Sequence, residues 1–286
     1  MVLVVNPARG VGGLFATTGL ILLLAWQAKA WSRALTFWNR LLRPLNARSR
    51  TPRLAMVAPS LREVGFLTDS EGNWNHLLNY VRISRVLFWV EEETHLGLRD
   101  DCGFVFGGDA FDKGAGIGGD IRLSQLLVRL KSEFPDRVFL LLGNRDLNKL
   151  RFAAELHRSD IARPLAACPA LIPCEQISVL EYLQKLASRS PDLSPEALNT
   201  EINRLRYCYE ETLGCADTFE LRRRELAQLK QCQPEQVSER DVLDHVVASV
   251  RKGGIVHEYI SHAVIAAVIG DTIFVHGRTS VDLLPY

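Results

Sequence analysis

Four short apolar runs, each followed by a residue able to bind a metal ion, constrain the fold of this chain most strongly. The runs span 64–68, 103–106, 138–142 and 272–275, and the first metal-binding residues after them are Asp69, Asp109, Asn144 and His276. Apolar runs of this length are typical of strands that are buried on both faces. Helical patterns of apolar residues lie between the runs, after Asn73 and after Asp120. This alternation predicts an α/β fold, in which ligands bind at the carboxyl ends of the strands.

The segment from about residue 156 to residue 252 interrupts this alternation. It is rich in charged residues and has no apolar run of the kind that forms a buried strand. A Ser-Pro pair at Ser194 predicts a helix start, and apolar residues at helical spacing continue as far as Tyr209. Ser238 and Asp241 resemble a capping box at the start of another helix. The sequence therefore predicts a mainly helical insertion that lies beside the site.

The distribution of charge separates the N-terminal arm from the rest of the 286-residue chain. Of the 34 basic residues, nine lie in residues 1–62, which contain no acidic residue. The other 25 basic residues share the remainder of the chain with all 33 acidic residues. A body with excess acid is a poor binder of nucleic acid, which requires clustered Lys and Arg. We therefore predict an N-terminal anchor or targeting segment over 1–62 and a folded domain over 63–286.

The N-terminal arm has the features of a membrane-anchoring segment. Residues 10–28 carry no charge, and this stretch of 19 residues is long enough to cross the hydrocarbon core of a bilayer. Most basic residues of the arm follow this stretch, so the positive-inside bias predicts that the domain lies in the cytoplasm. Residues 31–42 have the spacing of an amphipathic helix at a membrane surface.

Three other interpretations of the arm stay open. The sequence Ala28-Lys29-Ala30 fits the cleavage site of a signal peptide, and the arginine-rich stretch after it fits a cleaved organelle-targeting presequence. The apolar stretch also fits a buried helix of the globular domain. The protein is therefore expected either at a membrane with its domain in the cytoplasm or in an organelle.

Four local motifs place acidic, amide and imidazole groups at the ends of the predicted strands. They are 69–73 (DSEGN), 108–114 (GDAFDKG), 143–146 (GNRD) and 276–277 (HG). Each motif alone is a weak signal, but their order, spacing and position at strand ends agree. Acidic side chains that converge in this way repel one another unless a cation lies between them. The sequence therefore predicts a metal site.

Together the motifs resemble the calcineurin-like metallophosphoesterase superfamily, and in particular its phosphoprotein phosphatase branch. The pattern of that family is D-x-H, GDxxDRG, GNH followed by an acid, an HG at a strand end, and a final His. The resemblance covers about 66–280 apart from the insertion, and 143–152 (GNRDLNKLRF) resembles a subgroup with Arg in the third motif. It implies a four-layer α-β-β-α sandwich, incomplete at the C-terminus of this chain, that holds two divalent metal ions.

The resemblance also implies metal ligands, catalytic residues and phosphate-binding residues within the motifs. The implied metal ligands are Asp69 and Glu71 for one ion, Asn144 and His276 for the other, and Asp109 as a bridge between them. The implied catalytic residues are Asp112, Lys113 and Arg145. The implied phosphate-binding residues are Lys113, Arg145 and Arg278. Mixed oxygen and nitrogen ligands suit Mn, Fe or Zn, and oxygen-rich sites also admit Mg.

Three departures from the family pattern bear on activity. Glu71 stands in place of the His of the first motif, and it is an acceptable ligand for a hard metal ion. Arg145 stands in place of the His that acts as general acid, and it cannot donate a proton because it stays charged. It can bind a phosphate through two hydrogen bonds, with Asp146 holding it. The chain ends before an equivalent of the final His, as expected for a truncated product, a site completed by water, or a degenerate site.

The sequence thus predicts a metal-dependent phosphoesterase, a hydrolase of phosphate monoesters. The expected partner is a phosphorylated substrate, with a Ser/Thr phosphoprotein as the leading candidate and a small molecule as the other. The alternative is a catalytically degenerate, membrane-tethered binding module that keeps the fold, which Glu71, Arg145 and the missing His favour. A cyclic-nucleotide or dinucleotide phosphodiesterase on the same scaffold is a third candidate.

Overall fold

Strands and helices alternate through the residues that the computed structural model describes, which are 55–57, 61–112, 119–170, 175–190 and 192–277. The strands are β1 (Ala55–Val57), β2 (Glu63–Leu67), β3 (Leu87–Glu91), β4 (His95–Leu98), β5 (Cys102–Phe106), β6 (Val138–Leu141), β7 (Ala263–Val264), β8 (Ala266–Ile269) and β9 (Thr272–Val275). The α-helices are α1 (Trp74–Ile83), α2 (Asp120–Glu133), α3 (Asn144–Asn148), α4 (Phe152–Glu155), α5 (Arg158–Ile161), α6 (Val179–Ala187), α7 (Glu201–Tyr207), α8 (Thr218–Lys230), α9 (Glu239–Ser249) and α10 (Ile255–His262). The prediction of an α/β fold is confirmed.

A parallel sheet with strand order β2-β5-β6-β7 lies at the centre of the described residues. Its register pairs Val64 with Gly103 and Phe104 with Val138, so the carboxyl ends of β2, β5 and β6 lie along one edge. Every residue of β5 and β6 is buried, as expected for strands that are covered on both faces. The predicted strand that becomes β2 is confirmed as a strand, but it is mostly half-buried because it lies at the end of the sheet.

The two faces of this sheet pack against different partners because alternate side chains point to opposite faces. Phe104 and Phe106 belong to the large core that the sheet shares with the helices. Val105 and Phe139 belong to a smaller core together with Phe274 of β9. The described residues therefore form three layers, which are helices, the parallel sheet and a second sheet.

The second sheet has strand order β1-β8-β9, in which β1 is parallel and β9 antiparallel to β8. The strand predicted from the apolar run at 272–275 is confirmed as β9. Within β9 only Phe274 is buried, so the expectation of burial on both faces is wrong for this strand, which lies at the edge of its sheet. His276 follows β9 directly and is brought to the parallel sheet by the packing of one sheet on the other.

Three helix starts predicted from the sequence are confirmed. Asn73 caps α1, and its side chain accepts a hydrogen bond from the backbone N–H of His76 at 3.1 Å. α2 begins at Asp120. Ser238 and Asp241 form the capping box of α9, since each accepts a hydrogen bond from the backbone N–H of the other at 3.1 and 2.9 Å. These local sequence signals are therefore sufficient where no competing cap lies nearby.

The segment predicted to be a helical insertion contains helices and no strand among its described residues. The prediction that one of them begins at Ser194 is wrong. Ser194 accepts a hydrogen bond from the backbone N–H of Ala197 at 3.2 Å, but only within a turn. The backbone N–H of Thr200 then bonds to the carbonyl oxygen of Leu198, which interrupts a helical path. α7 starts after Thr200, whose side chain accepts a hydrogen bond from the backbone N–H of Asn203 at 3.2 Å.

In the part of the chain that the structure describes, no helix is long and apolar enough to cross a bilayer. The predicted membrane-anchoring stretch at 10–28 and the predicted amphipathic helix at 31–42 lie outside the described residues.

A buried ion-pair network attaches the helical segment to the loop that follows β5. Arg222 of α8 binds Asp120 Oδ2 at 2.6 Å and lies 3.6 Å from Glu225 Oε2. Glu225 accepts hydrogen bonds from two backbone N–H groups in the first turn of α2, at 2.7 and 3.2 Å. Asp120 Oδ1 accepts the backbone N–H of Asp112 at 3.0 Å. α8 therefore helps to fix the position of Asp112.

Replacing Arg222 with Leu should lower the free energy of unfolding by about 3–5 kcal/mol. The substitution leaves the buried carboxylates of Asp120 and Glu225 without their cation, and breaking a buried pair costs about this much. Urea denaturation followed by circular dichroism measures the change. Arg224→Leu is the matched control on an exposed position of the same helix, and it should change the free energy by less than about 0.5 kcal/mol. A loss below about 1 kcal/mol for Arg222→Leu would contradict the role of the network.

His245 should make the stability of the protein depend on pH. Burial, together with the charges of Arg222 and Lys230, lowers the pKa of His245 to about 4. The unfolded chain takes up this proton near pH 6.5 and the folded chain does not, so stability falls as the pH decreases from about 6.5 to about 4. The ring is partly exposed, so solvent screening limits the loss to about 1–2 kcal/mol. His245→Asn keeps an acceptor for Arg222 and should flatten this slope in urea denaturation at several pH values; an unchanged slope would rule the mechanism out.

Candidate metal centre

Backbone hydrogen bonds hold the loops after β2 and β5 side by side. The N–H of Asp69 bonds to the carbonyl oxygen of Gly108 at 3.0 Å, and the N–H of Glu71 bonds to that of Asp109 at 2.9 Å. A third bond joins Gly72 to the same loop. The first two motifs therefore lie next to each other, as their positions after neighbouring parallel strands require.

The acidic residues of these loops adopt a left-handed backbone conformation. The φ angles are 51° for Asp69, 44° for Glu71, 55° for Asp109 and 82° for Asp112, which are four of the seven positive values at described residues other than Gly. Asp tolerates this region, whereas Glu adopts it rarely. Unfavourable backbone conformations cluster at functional sites, where the surrounding structure fixes them, so their concentration here marks these loops as a candidate site.

Gly108 allows the loops to approach each other closely. Its φ is +95°, and a Cβ at this position would lie 2.7 Å from the backbone nitrogen of Gly143 and 2.8 Å from His276 Nδ1. A side chain is therefore excluded here both by conformation and by space. The Gly that precedes Asp109 in the second motif brings the third and fourth motifs within contact distance.

Residues from all four motifs meet at one point. Asp69, Asp109 and His276 each offer one ligand atom, and these atoms lie within 4.8 Å of one another. Asn144 joins them, because its Oδ1 lies 3.2 Å from His276 Nε2. The structure thus brings together the four residues that follow the apolar runs of the sequence, from three strands of two sheets and the start of α3.

The hydrogen bond of His276 orients its ring toward this point. Nδ1 lies 2.7 Å from the carbonyl oxygen of Gly107, which can only accept, so Nδ1 carries a proton. Nε2 then faces Asn144 Oδ1 at 3.2 Å and Asp109 Oδ1 at 3.4 Å. In the neutral ring, Nε2 of His276, Oδ1 of Asn144 and Oδ1 of Asp109 thus present electron pairs to one another, an arrangement that a metal ion would stabilise.

Burial raises the pKa of Asp109 above its ordinary value. The backbone N–H of Arg145, which donates to Asp109 Oδ1 at 2.9 Å, and the charges of His276 and Arg145 oppose this effect. Asp69 raises the pKa further through repulsion between the two carboxylates. A cation at the convergence point would remove that repulsion and stabilise the ionised form of Asp109.

Arg145 lies among three carboxylates. Its Nε lies 2.7 Å from Glu71 Oε1 and 3.9 Å from Asp109 Oδ2, and its Nη1 lies 3.4 Å from Asp112 Oδ2. Burial opposes its charge, but Glu71 and Asp112 raise the pKa of Arg145 above its ordinary value. The prediction that Asp146 holds Arg145 is wrong. Adjacent residues of a helix point in different directions, and Asp146 turns toward the backbone.

Asp146 joins two loops through its carboxylate, which is fully buried. It accepts hydrogen bonds from the backbone N–H groups of Asp109 at 3.0 Å, Ala110 at 2.8 Å and Gly143 at 2.8 Å. Burial raises the pKa of Asp146 to about 7, while the three N–H donors act in the opposite direction. The acid of the third motif therefore positions Asp109.

Asp112 is fully buried, although the sequence predicts a catalytic role for it. Its Oδ2 contacts both Arg145 and the ammonium group of Lys149, and its Oδ1 has no hydrogen-bond partner among the described residues. Of the two side chains in the Arg145–Asp112 pair, only Arg145 is therefore accessible to solvent. Lys113 and Arg278, the other two predicted phosphate-binding residues, lie outside the described residues.

Lys149 is a site residue that sequence analysis missed. It is almost fully buried, and its ammonium group is paired with Asp112. It lies four residues after Arg145, so the two side chains share one face of the helical turns that start at Asn144. That spacing was the available signal, because a buried ammonium group requires an acidic partner.

Replacing Asp146 with Asn should lower the free energy of unfolding by about 2–3 kcal/mol. The carboxylate accepts three N–H groups with its two oxygens, whereas an amide offers one oxygen and points its own N–H groups at the remaining donors. Thermal and urea denaturation measure the loss. Asp271→Asn, at an exposed turn, is the matched control and should be nearly neutral. Equal stability of the two variants would show that Asp146 does not hold the loops.

Comparison with known proteins adds little to this geometry. No protein-family model matches the sequence, and no curated protein matches it. Among solved structures the chain is similar to a cold-active protein-tyrosine phosphatase of a psychrophilic Shewanella species. The two are 14% identical, and the match covers 78% of this chain and 70% of that chain with a TM-score of 0.25. Conclusions about this chain therefore rest on its own residues.

Proposed function

We propose that this protein is a metal-dependent phosphoesterase that hydrolyses phosphate monoesters. The observation that supports the proposal is the convergence of electron-pair donors from Asp69, Asp109, Asn144 and His276 at strand ends. A divalent cation suits such a set, and the guanidinium of Arg145 beside it suits a phosphate group. We also propose that the chain forms a four-layer α-β-β-α sandwich, with which the parallel sheet, the second sheet and the helices of the described residues are compatible.

The donor set fits a divalent ion. The carboxylates of Asp69 and Asp109, the amide oxygen of Asn144 and Nε2 of His276 would hold it, and this mixture of oxygen and nitrogen suits Mn, Fe or Zn, with Mg as a weaker fit. When bound, the ion would supply the positive charge that activates a water molecule and neutralises a phosphoryl oxygen. The hydrogen bond from His276 Nδ1 to Gly107 keeps the ring in the orientation that this role requires.

The side chains around the donor set would bind and orient the phosphate. The Arg145 side chain is 15% exposed, so part of it is accessible to a ligand, while Glu71 and Asp112 fix its orientation. Asp112 acts through Arg145 and is in this sense a positioning residue. Lys113 and Arg278 are also proposed to bind the phosphate. This part of the proposal rests only on the resemblance to the metallophosphoesterase superfamily.

The helical segment would restrict which substrates enter. Arg145 Nη1 donates to the carbonyl oxygen of Leu213 at 3.3 Å, so the turn after the π-helical residues Cys208–Thr212 borders the site directly. A Ser/Thr phosphoprotein is the leading substrate in this proposal, and a small phosphorylated molecule is the other. A phosphodiester is the weakest of the three candidate substrates. Hydrolysis assays with monoester and diester substrates distinguish it from the other two.

A binding module without catalysis is the second candidate function. The observation that favours it is the set of ion pairs around Arg145, which occupies the position of a proton-donating residue and cannot supply a proton. Such a module would recognise a phosphorylated partner through the same cation and guanidinium. For both candidate functions, we propose that residues 10–28 tether the protein to a membrane with the domain in the cytoplasm. The alternative is a cleaved presequence that targets the protein to an organelle.

Replacing Asp109 with Asn should abolish Mn²⁺ binding and hydrolysis together. Its Oδ1 faces the other ligands, and removal of a ligand should exceed the roughly 10–100-fold loss that follows removal of a residue behind a ligand. Isothermal titration with Mn²⁺ and assays with p-nitrophenyl phosphate, a phosphoserine peptide and bis(p-nitrophenyl) phosphate measure both effects. Asp100→Asn, at an exposed position, is the control and should behave as wild type.

The wild-type protein distinguishes the two candidate functions in the same experiment. Mn²⁺ binding with turnover of a monoester supports the phosphoesterase. Mn²⁺ binding with no turnover of any substrate rejects catalysis and supports the binding module. Absence of Mn²⁺ binding rejects the metal centre itself.

A further inference from the structure

The two cation positions that the resemblance implies differ in what this chain places there. On one side, Asp69, Asn144 and His276 direct electron-pair donors at one another. On the other side lies the guanidinium of Arg145. Asp109 stands between them, with Oδ1 3.4 Å from His276 Nε2 and Oδ2 3.9 Å from Arg145 Nε. The carboxylate of Asp109 therefore lies between a group of side chains that can bind a metal ion and a positively charged guanidinium.

Glu71 belongs to the guanidinium side. Its Oε1 lies 2.7 Å from Arg145 Nε, which is the shortest of the three carboxylate contacts of Arg145. Glu71 reaches this position from a left-handed backbone conformation, with a φ of 44°, which the loop imposes at a cost in free energy. A metal ion bound by Glu71 and Asp109 would have to displace a guanidinium whose side chain is only 15% exposed.

The charges of the surrounding side chains also favour one metal ion over two. Four carboxylates surround the site, from Asp69, Glu71, Asp109 and Asp112, and two cationic side chains, Arg145 and Lys149, lie against them. Among the described residues, these carboxylates outnumber the cationic side chains that contact them, which suits the binding of a divalent ion. A second divalent ion would add charge to a partly buried cluster that already holds a guanidinium, and like charges at such distances repel strongly.

We infer that the chain binds a single divalent cation, between Asp69, Asp109, Asn144 and His276, and that the Arg145 guanidinium is the fixed second positive charge of the site. This inference rests on the proposed function, because the cation is the one proposed there. It differs from the two-metal site that the resemblance implies. A guanidinium provides charge and hydrogen bonds for a phosphate group, but it cannot activate water as a metal ion does.

Isothermal titration of the full chain with Mn²⁺ tests this inference. We expect one Mn²⁺ per chain for wild type and for Arg145→Lys, which keeps the positive charge. Arg145→Ala removes the guanidinium from beside Glu71 and Asp109 and should bind two, with the second ion detected by magnetic coupling between the Mn²⁺ ions in electron paramagnetic resonance. Arg163→Ala, which removes an exposed arginine outside the site, is the control and should bind one.

The outcomes separate this inference from the proposed function. Two Mn²⁺ ions on wild type would overturn the inference and leave the metal centre standing, whereas no binding would overturn both. Binding of only one Mn²⁺ ion by folded Arg145→Ala would also overturn the inference. It would show that the guanidinium does not occupy the place of a second metal ion. If Arg145→Ala does not fold, Glu71→Gln decides: a loss of Mn²⁺ affinity below about 10-fold supports the inference, and a larger loss overturns it.

Discussion

The negative charge of four carboxylates at the ends of two neighbouring strands is the constraint on which the site depends. Parallel pairing of β2 and β5 places the loops that carry them next to each other, so repulsion is built into the topology. Two cationic side chains in the helical turns after β6 reduce this repulsion. Arg145 and Lys149 lie on one face of these turns, and both contact Asp112. Among the described residues, these two side chains thus supply part of the compensating positive charge.

Rigidity of the loops follows from backbone contacts rather than from the charges alone. Asp146 ties three backbone N–H groups from two loops to one carboxylate, and Gly108 lets the loops come within contact distance of His276. The network of Arg222, Asp120 and Glu225 then fixes the same loop from the helical side. Ligand atoms held in this way lose little freedom when a cation binds, which is the condition for a preorganised site.

Four of the nine described strands, and the residues that follow them, could be predicted from the sequence, because apolar runs of strand length and motif order are local signals. It was misleading at Ser194, since Thr200 is an equally good cap and only tertiary packing selects between them. The partners of Asp112 and Asp120 could not be predicted, because Lys149 lies 37 residues from the first and Arg222 lies 102 residues from the second. Pairs at such separations depend on the completed fold.

The chemistry open to the site follows from what Arg145 can and cannot do. A guanidinium stabilises charge on a phosphoryl oxygen throughout a reaction, but it gives no proton to a leaving group, a step that contributes about 10²–10⁴ to the rates of enzymes that use it. Under the proposed function the site therefore keeps the electrostatic part of phosphoryl transfer and lacks the proton-donating part. Aryl phosphates, whose leaving groups depart as stable anions, need no proton at that step. A phosphoserine or phosphothreonine, the leading substrate under the proposed function, leaves as an alkoxide and would have to take its proton from a group other than Arg145.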